Sequence, residues 1–226
     1  HAEYFSMDAK GRRIHQPVAQ LCLSNPEVWK VMLKSLRGYI RQDRENYEPG
    51  AWPEVYDISM MDATDYICQC PECVKISKAE GSDAALVLMA LNYLCEQISR
   101  EYPGIKLRTF AYVSATKLPK TIRPHRNLVI WFCDLYTKSD SYKPLNSPQN
   151  QERFKLLKEW TDVTDQVYIW DYWNFYSNHP DIMVDSIQAD AKTFRDLKCM
   201  GLMAEAEEGI INFQSFQELN YWIGYQ

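Results

Sequence analysis

The stretch Gln166–Trp173, QVYIWDYW, decides the fold, because it is a short apolar run that ends in an acid flanked by aromatic side chains. Runs of this length that are rich in β-branched and aromatic residues are typical of buried strands. Ahead of it, Gln149–Trp160 has apolar residues at helical spacing, and a second apolar run, Asn127–Asp134 (NLVIWFCD), precedes that helix. Two strands with a helix between them predict parallel neighbours joined by a crossover.

The same alternation of short apolar runs and helical segments extends over the rest of the chain. Further strands are predicted at Gln20–Leu23, Val55–Met61, Lys106–Tyr112 and Gly201–Ala204. Helices are predicted after Ser24-Asn25-Pro26-Glu27, over Asp83–Tyr102, after Pro180, and near Phe213–Trp222. The segment with three clustered cysteines is predicted to be a loop. The sequence therefore predicts six strands separated mostly by helices.

This pattern predicts an α/β fold with a parallel sheet, which leaves a doubly wound sheet and a (β/α)8 TIM barrel open. Acidic or polar residues follow the carboxyl ends of several strands: Ser24, Asp62, Asp134, Asp171 and Glu205. A barrel gathers such strand ends around one mouth, and no glycine-rich phosphate-binding turn follows any strand, so the barrel is favoured. Six strand-helix units would then be part of a larger barrel. We expect residues 1–226 to form one domain excised from a longer multidomain protein.

Composition narrows the classes of partner. The net charge is -5, and no block of lysine or arginine is present, which argues against nucleic acid as the main partner. No window approaches the roughly 20 apolar residues of a membrane span. The histidines show no metal-ligand spacing, and no G-x-S-x-G turn indicates a serine nucleophile. We therefore expect no catalytic metal and no catalytic cofactor.

Several motifs resemble those of the DUF4838 family, an uncharacterised domain of bacterial carbohydrate-utilisation proteins that is similar to TIM-barrel glycoside hydrolases. They are HAEYFSMDAKGRR (residues 1–13), QLCLSNPEV (20–28), YICQCPEC (66–73) preceded by an acid, YPGIKLRTFAY (102–112), PLNSPQN (144–150), VYIWDYWNF (167–175) and GLMAEAEEG (201–209). The resemblance implies a barrel fold, a carbohydrate as partner, flanking domains in the same chain, and a periplasmic or extracellular location.

Glycoside hydrolysis requires two carboxyl groups across the scissile bond, one protonated and one ionised. We predict Asp62 as the acid and Asp171 as the base or nucleophile. Glu205 is the competing partner, with the alternative that it holds a sugar hydroxyl. For each acid the simpler explanation is a solvated or salt-bridged carboxylate at a strand end. The competing hypothesis for the whole chain is a barrel that binds carbohydrate without cleaving it.

Aromatic and polar side chains at the same strand ends suit a sugar, whose ring faces pack on aromatic surfaces while its hydroxyls need polar partners. The predicted substrate-binding residues are Tyr112, Trp131, Asp134, Trp170, Tyr172, Trp173 and Asn174. For each aromatic residue alone, packing between sheet and helices is the commoner explanation. Strand alternation places Trp170 and Tyr172 on one face and Asp171 and Trp173 on the other, so only one pair can face the barrel axis.

The cysteines Cys68, Cys70 and Cys73 have the C-x-C-x-x-C spacing of a metal-binding loop. They are predicted to form a structural zinc site whose fourth ligand is Cys22 or Asp65. A disulfide in an exported protein and free thiols packed in a loop are the alternatives.

Overall fold

The computed structural model describes residues 1–14, 19–62, 67–134, 143–173 and 183–205, together with residues 222 and 224. The helices in these ranges are α1 (Pro26–Asn46), α2 (Pro71–Glu80), α3 (Ala84–Glu101), α4 (Gln151–Thr161) and α5 (Val184–Asp196). The strands are β1 (Val55–Asp57), β2 (Lys106–Ala111), β3 (Leu128–Cys133), β4 (Val167–Tyr172) and β5 (Gly201–Glu205). None of the described helices has the length and apolar character needed to cross a membrane.

The strands form one sheet in the order β1-β2-β3-β4-β5. Strands β1 and β2 are parallel, and so are β4 and β5. A strand order that follows the chain is that of a (β/α) barrel, whereas the order of a doubly wound sheet reverses at its switch point. The predicted α/β class is therefore confirmed, and the described strands number five rather than the six predicted.

The predicted strand at Gln20–Leu23 is not a strand of this sheet. Leu21 instead forms an isolated antiparallel bridge with Phe5. The backbone N–H of Cys22 donates to the carbonyl of Tyr4, and that of Ser6 donates to the carbonyl of Gln20. The segment is extended because it pairs with the start of the chain, a partner that an apolar run of this length does not reveal.

The chain divides into two compact units, His1–Ile130 and Trp131–Gln226. In the first unit, α1 begins where its sequence signal predicts: the Asn25 side chain accepts a hydrogen bond from the Glu27 N–H, and Pro26 occupies the first turn. Ten of the 18 residues of helix α3 are buried, and the helix packs against α1, α2 and β2. Alternate residues of β2 are buried, so one face of this strand is turned toward the helix layer.

Helix α2 lies where a loop was predicted. Cys70 is its N-cap and Pro71 its first residue, the same proline signal that starts α1. The helix ends at Gly81, whose φ of 70° is a left-handed conformation that glycine adopts without strain. As a result the cysteine stretch enters the first turn of a helix instead of remaining in a loop.

In the second unit, α4 lies between β3 and β4, and α5 between β4 and β5. The N–H of Asp134, directly after β3, donates to the carbonyl of Trp170 in β4. The predicted helices at Gln149–Trp160 and after Pro180 correspond to α4 and α5. The predicted last helix near Phe213–Trp222 lies outside the described residues, apart from Trp222.

Candidate functional sites in the two units

Four cysteines of the first unit form a compact group of thiols. Cys22, Cys68, Cys70 and Cys73 place their sulfur atoms within 4.8 Å of one another, and all four side chains are buried. The Cys22 Sγ lies 3.7 Å from Cys70 Sγ and 3.9 Å from Cys73 Sγ. A disulfide needs about 2.05 Å, and all seven cysteines of the chain are free thiols in this structure. The arrangement is consistent with a structural metal site.

Polar groups surround these thiols. The N–H of Met7 donates to Cys68 Sγ at 3.4 Å, and the guanidinium of Arg13 lies 3.9 Å from the same sulfur. The Ser24 hydroxyl accepts from the Cys73 thiol at 3.0 Å. Hydrogen bonds with Cys68 and Cys73 lower the pKa of Cys22, and the hydrogen bond with Cys22 raises the pKa of Cys73.

The second unit presents two different faces of β3, β4 and β5. Because the Asp134 N–H bonds to Trp170, Asp134 is aligned with Asp171 of β4, which in turn pairs with Ala204 of β5. Aligned residues of neighbouring strands share a face, and successive residues alternate. One face therefore carries Asp134, Asp171 and Ala204, and the opposite face carries Trp131, Trp170 and Glu205.

The face with the aspartates is turned toward α4 and α5. Arg153 of α4 stacks over the Phe132 ring at 4.8 Å, and its Nε lies 3.6 Å from Asp134 Oδ1. Ile187 of α5 packs with Trp173 and Ala204. This face is a packed interior between sheet and helices.

Three carboxyl groups of this unit are buried, those of Asp134, Asp171 and Asp190 of α5, and their charges act on one another. Asp171 accepts hydrogen bonds from the Tyr172 N–H at 2.8 Å and from Trp173 Nε1 at 2.9 Å. Asp190 accepts from the Leu145 N–H at 2.6 Å. Burial, and then the charge of Asp134, raise the pKa of Asp171 to about 7. Burial raises the pKa of Asp190 to about 8, and the charges of the other two acids add to this effect.

The opposite face, which we call the aromatic face, carries Trp131, Tyr168, Trp170, Met203 and Glu205, all of them half-buried. Trp131 and Trp170 meet edge to face, with ring centroids 5.2 Å apart. The Trp170 indole N–H donates to Glu205 Oε2 at 2.6 Å. A carboxylate is thus held against a pair of large aromatic rings on a partly open surface.

Gly201 lies beneath the Tyr168 ring on this face. A Cβ at Gly201 would stand 2.6 Å from Tyr168 Cε1, closer than non-bonded carbons approach, so the ring would have to move. We expect Gly201→Ala to lower the free energy of unfolding by about 1–3 kcal/mol, as overpacking does. Gly38→Ala in α1 is the control, because a Cβ added at Gly38 would have no atom within 4 Å. Alanine is also favoured over glycine inside a helix by about 1 kcal/mol. Urea unfolding of both variants checks this, and equal effects would contradict it.

The other predicted site residues are placed as follows. Asp62 is exposed, and Tyr112 is half-buried just after β2. Tyr172 lies on the same face as Trp170 but is 7% exposed, and Trp173 is buried among the apolar residues near α5. Asn174 and Asp65 lie outside the described residues. Sequence reasoning missed Arg153 and Asp190, because nothing in a helical pattern shows that a charged residue faces a particular buried acid.

The family model described as a domain of unknown function, DUF4838, matches residues 1–226, the whole chain, and confirms the resemblance seen in the motifs. No curated protein matches the chain. Among solved structures, the apo form of 3-keto-D-glucoside 4-epimerase, YcjR, from E. coli is similar, with 13% sequence identity and a TM-score of 0.37. The similarity covers 64% of this chain and 54% of that chain, so it spans about half of the epimerase.

Proposed function

The chain belongs to the DUF4838 family, and we propose that it acts on carbohydrate, with the aromatic face of the second unit as the surface that holds a sugar. One observation supports this proposal most: the Trp131 and Trp170 rings and the Glu205 carboxylate lie together, half-buried, toward the carboxyl ends of neighbouring strands, and Glu205 is the last residue of β5. Ligands of parallel α/β folds bind at those ends.

The chemistry of this group suits a pyranose. The C–H faces of a pyranose ring pack on indole rings, and the hydroxyl groups of the sugar donate hydrogen bonds to a carboxylate. The hydrogen bond from Trp170 fixes the orientation of the Glu205 carboxylate, so that the acceptor oxygens need not be ordered when a ligand arrives. Basic patches of the kind that bind nucleic acid are absent from this described surface, which is aromatic and acidic.

We further propose that the activity is hydrolysis of a glycosidic bond, with Glu205 as one of the two carboxyl groups that the reaction needs. Glu205 is favoured over Asp171, because Asp171 faces the helix layer and is 4% exposed, whereas Glu205 lies on the aromatic face. The raised pKa of Asp171 is that of a carboxyl in a packed interior. Hydrolysis by carboxyl groups needs no cofactor. A periplasmic or extracellular location and flanking domains are part of the same proposal.

Binding is tested by a glycan array on the full-length protein, followed by calorimetry with the best ligand. Trp170→Ala removes both the ring and the hydrogen bond to Glu205, whereas Trp170→Phe keeps a ring face and removes only the hydrogen bond. We expect Trp170→Ala to weaken binding by at least about tenfold, or about 1.4 kcal/mol, and Trp170→Phe by less. Unchanged affinity in Trp170→Ala would refute the assignment of this face.

Hydrolysis is tested on the ligand found by the array, with three variants that replace a carboxyl by an amide of the same shape. We expect Glu205→Gln to lower turnover by at least about a hundredfold, the size of a lost acid-base group. Asp171→Asn should keep turnover within a few fold. Glu152→Gln on the exposed start of α4 is the matched control. Binding without turnover in the wild type would favour a non-catalytic carbohydrate-binding protein.

A further inference from the structure

The thiol group of the first unit has the dimensions of a tetrahedral metal site. Zinc binds thiolate sulfur at about 2.3 Å, so the edge of a regular ZnS4 tetrahedron is about 3.8 Å. The two sulfur separations from Cys22 are 3.7 and 3.9 Å, and no separation within the group exceeds 4.8 Å. Small rotations of the side chains are enough to place all four sulfurs around one ion.

The number and burial of the ligands also fit a closed structural site. Four thiols complete the coordination of Zn²⁺ and leave no position open for a substrate, as in structural Cys₄ sites. The exposed fractions of Cys22, Cys68, Cys70 and Cys73 are 3%, 3%, 7% and 0%. Leu86 and partly buried Met7, Leu23 and Ile76 surround them with apolar surface. Such a site excludes water from the metal–sulfur bonds.

The groups around the sulfurs are those that stabilise a tetrathiolate. Four thiolates and one Zn²⁺ carry a net charge of −2, which needs nearby donors and positive charge. The Met7 N–H and the Arg13 guanidinium already point at Cys68. Cys73 lies in the first turn of α2, where helix N–H groups favour anions. The Ser24 oxygen lies 3.7 Å from the sulfurs of Cys22 and Cys70 and 3.0 Å from that of Cys73.

Other uses of four cysteines fit less well. Sulfurs at a disulfide distance would be about 2.05 Å apart, well below the separations observed. The small spread of the sulfurs suits one ion rather than a multinuclear iron–sulfur cluster. Simple packing of free thiols does not explain why a basic side chain and a backbone N–H both converge on the sulfur of Cys68.

We propose that Cys22, Cys68, Cys70 and Cys73 bind one Zn²⁺ in a closed structural site. The ion links three segments that are distant in sequence: Cys22 in the segment ahead of α1, the stretch that leads into α2, and, through Met7 and Arg13, the start of the chain. Cys22 is the fourth ligand, so the site does not depend on Asp65. The inference does not rest on the proposed carbohydrate function.

The test is the metal content of the full-length protein, purified without chelators or metal affinity resin and measured by inductively coupled plasma mass spectrometry. We expect about one zinc per chain, the content of one Cys₄ site, and loss of that zinc in Cys22→Ser and Cys73→Ser. Cys95→Ser is the matched control, because Cys95 is equally buried in the same unit but lies outside the group. It should keep the zinc of the wild type.

A measurement on the wild type covers the case in which the cysteine variants do not fold. Titration with a mercurial reagent should release one zinc as four thiols react, and cobalt substitution should give the absorption of a tetrahedral thiolate complex. Ser24→Ala should keep the stoichiometry while weakening zinc binding by about 10–100-fold, as the loss of an outer hydrogen-bonding partner does. Zinc retained in Cys22→Ser, iron in place of zinc, or a wild-type protein without metal would each overturn the proposal.

Discussion

Arg153→Met is expected to lower the free energy of unfolding by about 3 kcal/mol, the cost of removing one partner of a buried ion pair. Asp134 is 0% exposed, and the Arg153 guanidinium lies 3.6 Å from its carboxylate. The same guanidinium stacks on the Phe132 ring and donates to the carbonyl of Cys133. Methionine fills a similar volume but supplies neither charge nor donors, so the Asp134 charge loses its counter-ion in a dry interior.

Urea unfolding of the purified variants measures this effect, and two further variants make it specific. Arg195→Met is the control, because Arg195 pairs with Asp196 on an exposed part of α5, where such pairs contribute at most about 1 kcal/mol. The double variant Arg153→Met with Asp134→Asn should recover much of the lost stability, since it removes the uncompensated charge. A loss in Arg153→Met no larger than in Arg195→Met would contradict the role of the pair.

Local signals predicted most of the fold. Helix α1 starts at Asn25-Pro26 and α5 follows Pro180 as predicted, because caps and helical spacing act over a few residues. The strand at Gln20–Leu23 was wrong because a short apolar run can pair with any extended segment, and here the partner is the start of the chain. Helix α2 was missed although Pro71 gives the same start signal as Pro26.

The candidate sites needed tertiary information. Alternation predicted that Trp170 and Asp171 face opposite sides of β4, but it could not tell which side the helices cover. The positions of Arg153 and Asp190 show that the helices cover the aspartate face. Arg153 belongs to α4 and Asp190 to α5, and both interact with carboxyl groups of that face. In the same way, spacing identified three of the four clustered cysteines, whereas the choice between Cys22 and Asp65 as the fourth ligand depended on where the fold places the segment ahead of α1. The structure brings Cys22 into the group.

The buried acids of the second unit are expected to make the chain less stable as the pH rises. Asp171 and Asp190 have pKa values of about 7 and 8 in the folded chain, whereas an unfolded aspartate titrates near 3.9. Between about pH 4 and pH 8 the folded chain therefore binds more protons than the unfolded chain, so the free energy of unfolding falls as the pH rises through this window. Groups with lowered pKa values, such as Glu96 and Glu101, have the opposite effect, but they act mainly below about pH 5.

Asp190→Asn should remove a large part of this dependence. The amide oxygen still accepts from the Leu145 N–H, and an amide never ionises, so the cost of burying a charged carboxylate is absent at every pH. Each pKa unit corresponds to about 1.4 kcal/mol, so at pH 8 the variant should be more stable than the wild type by about 1–3 kcal/mol, with little difference at pH 5. Urea unfolding at pH 5, 6, 7 and 8 measures both curves. Asp185→Asn, at an exposed position in the first turn of α5, is the control and should give a curve parallel to the wild type. If Asp190→Asn also ran parallel, Asp190 would not be the group whose protonation stabilises the folded chain.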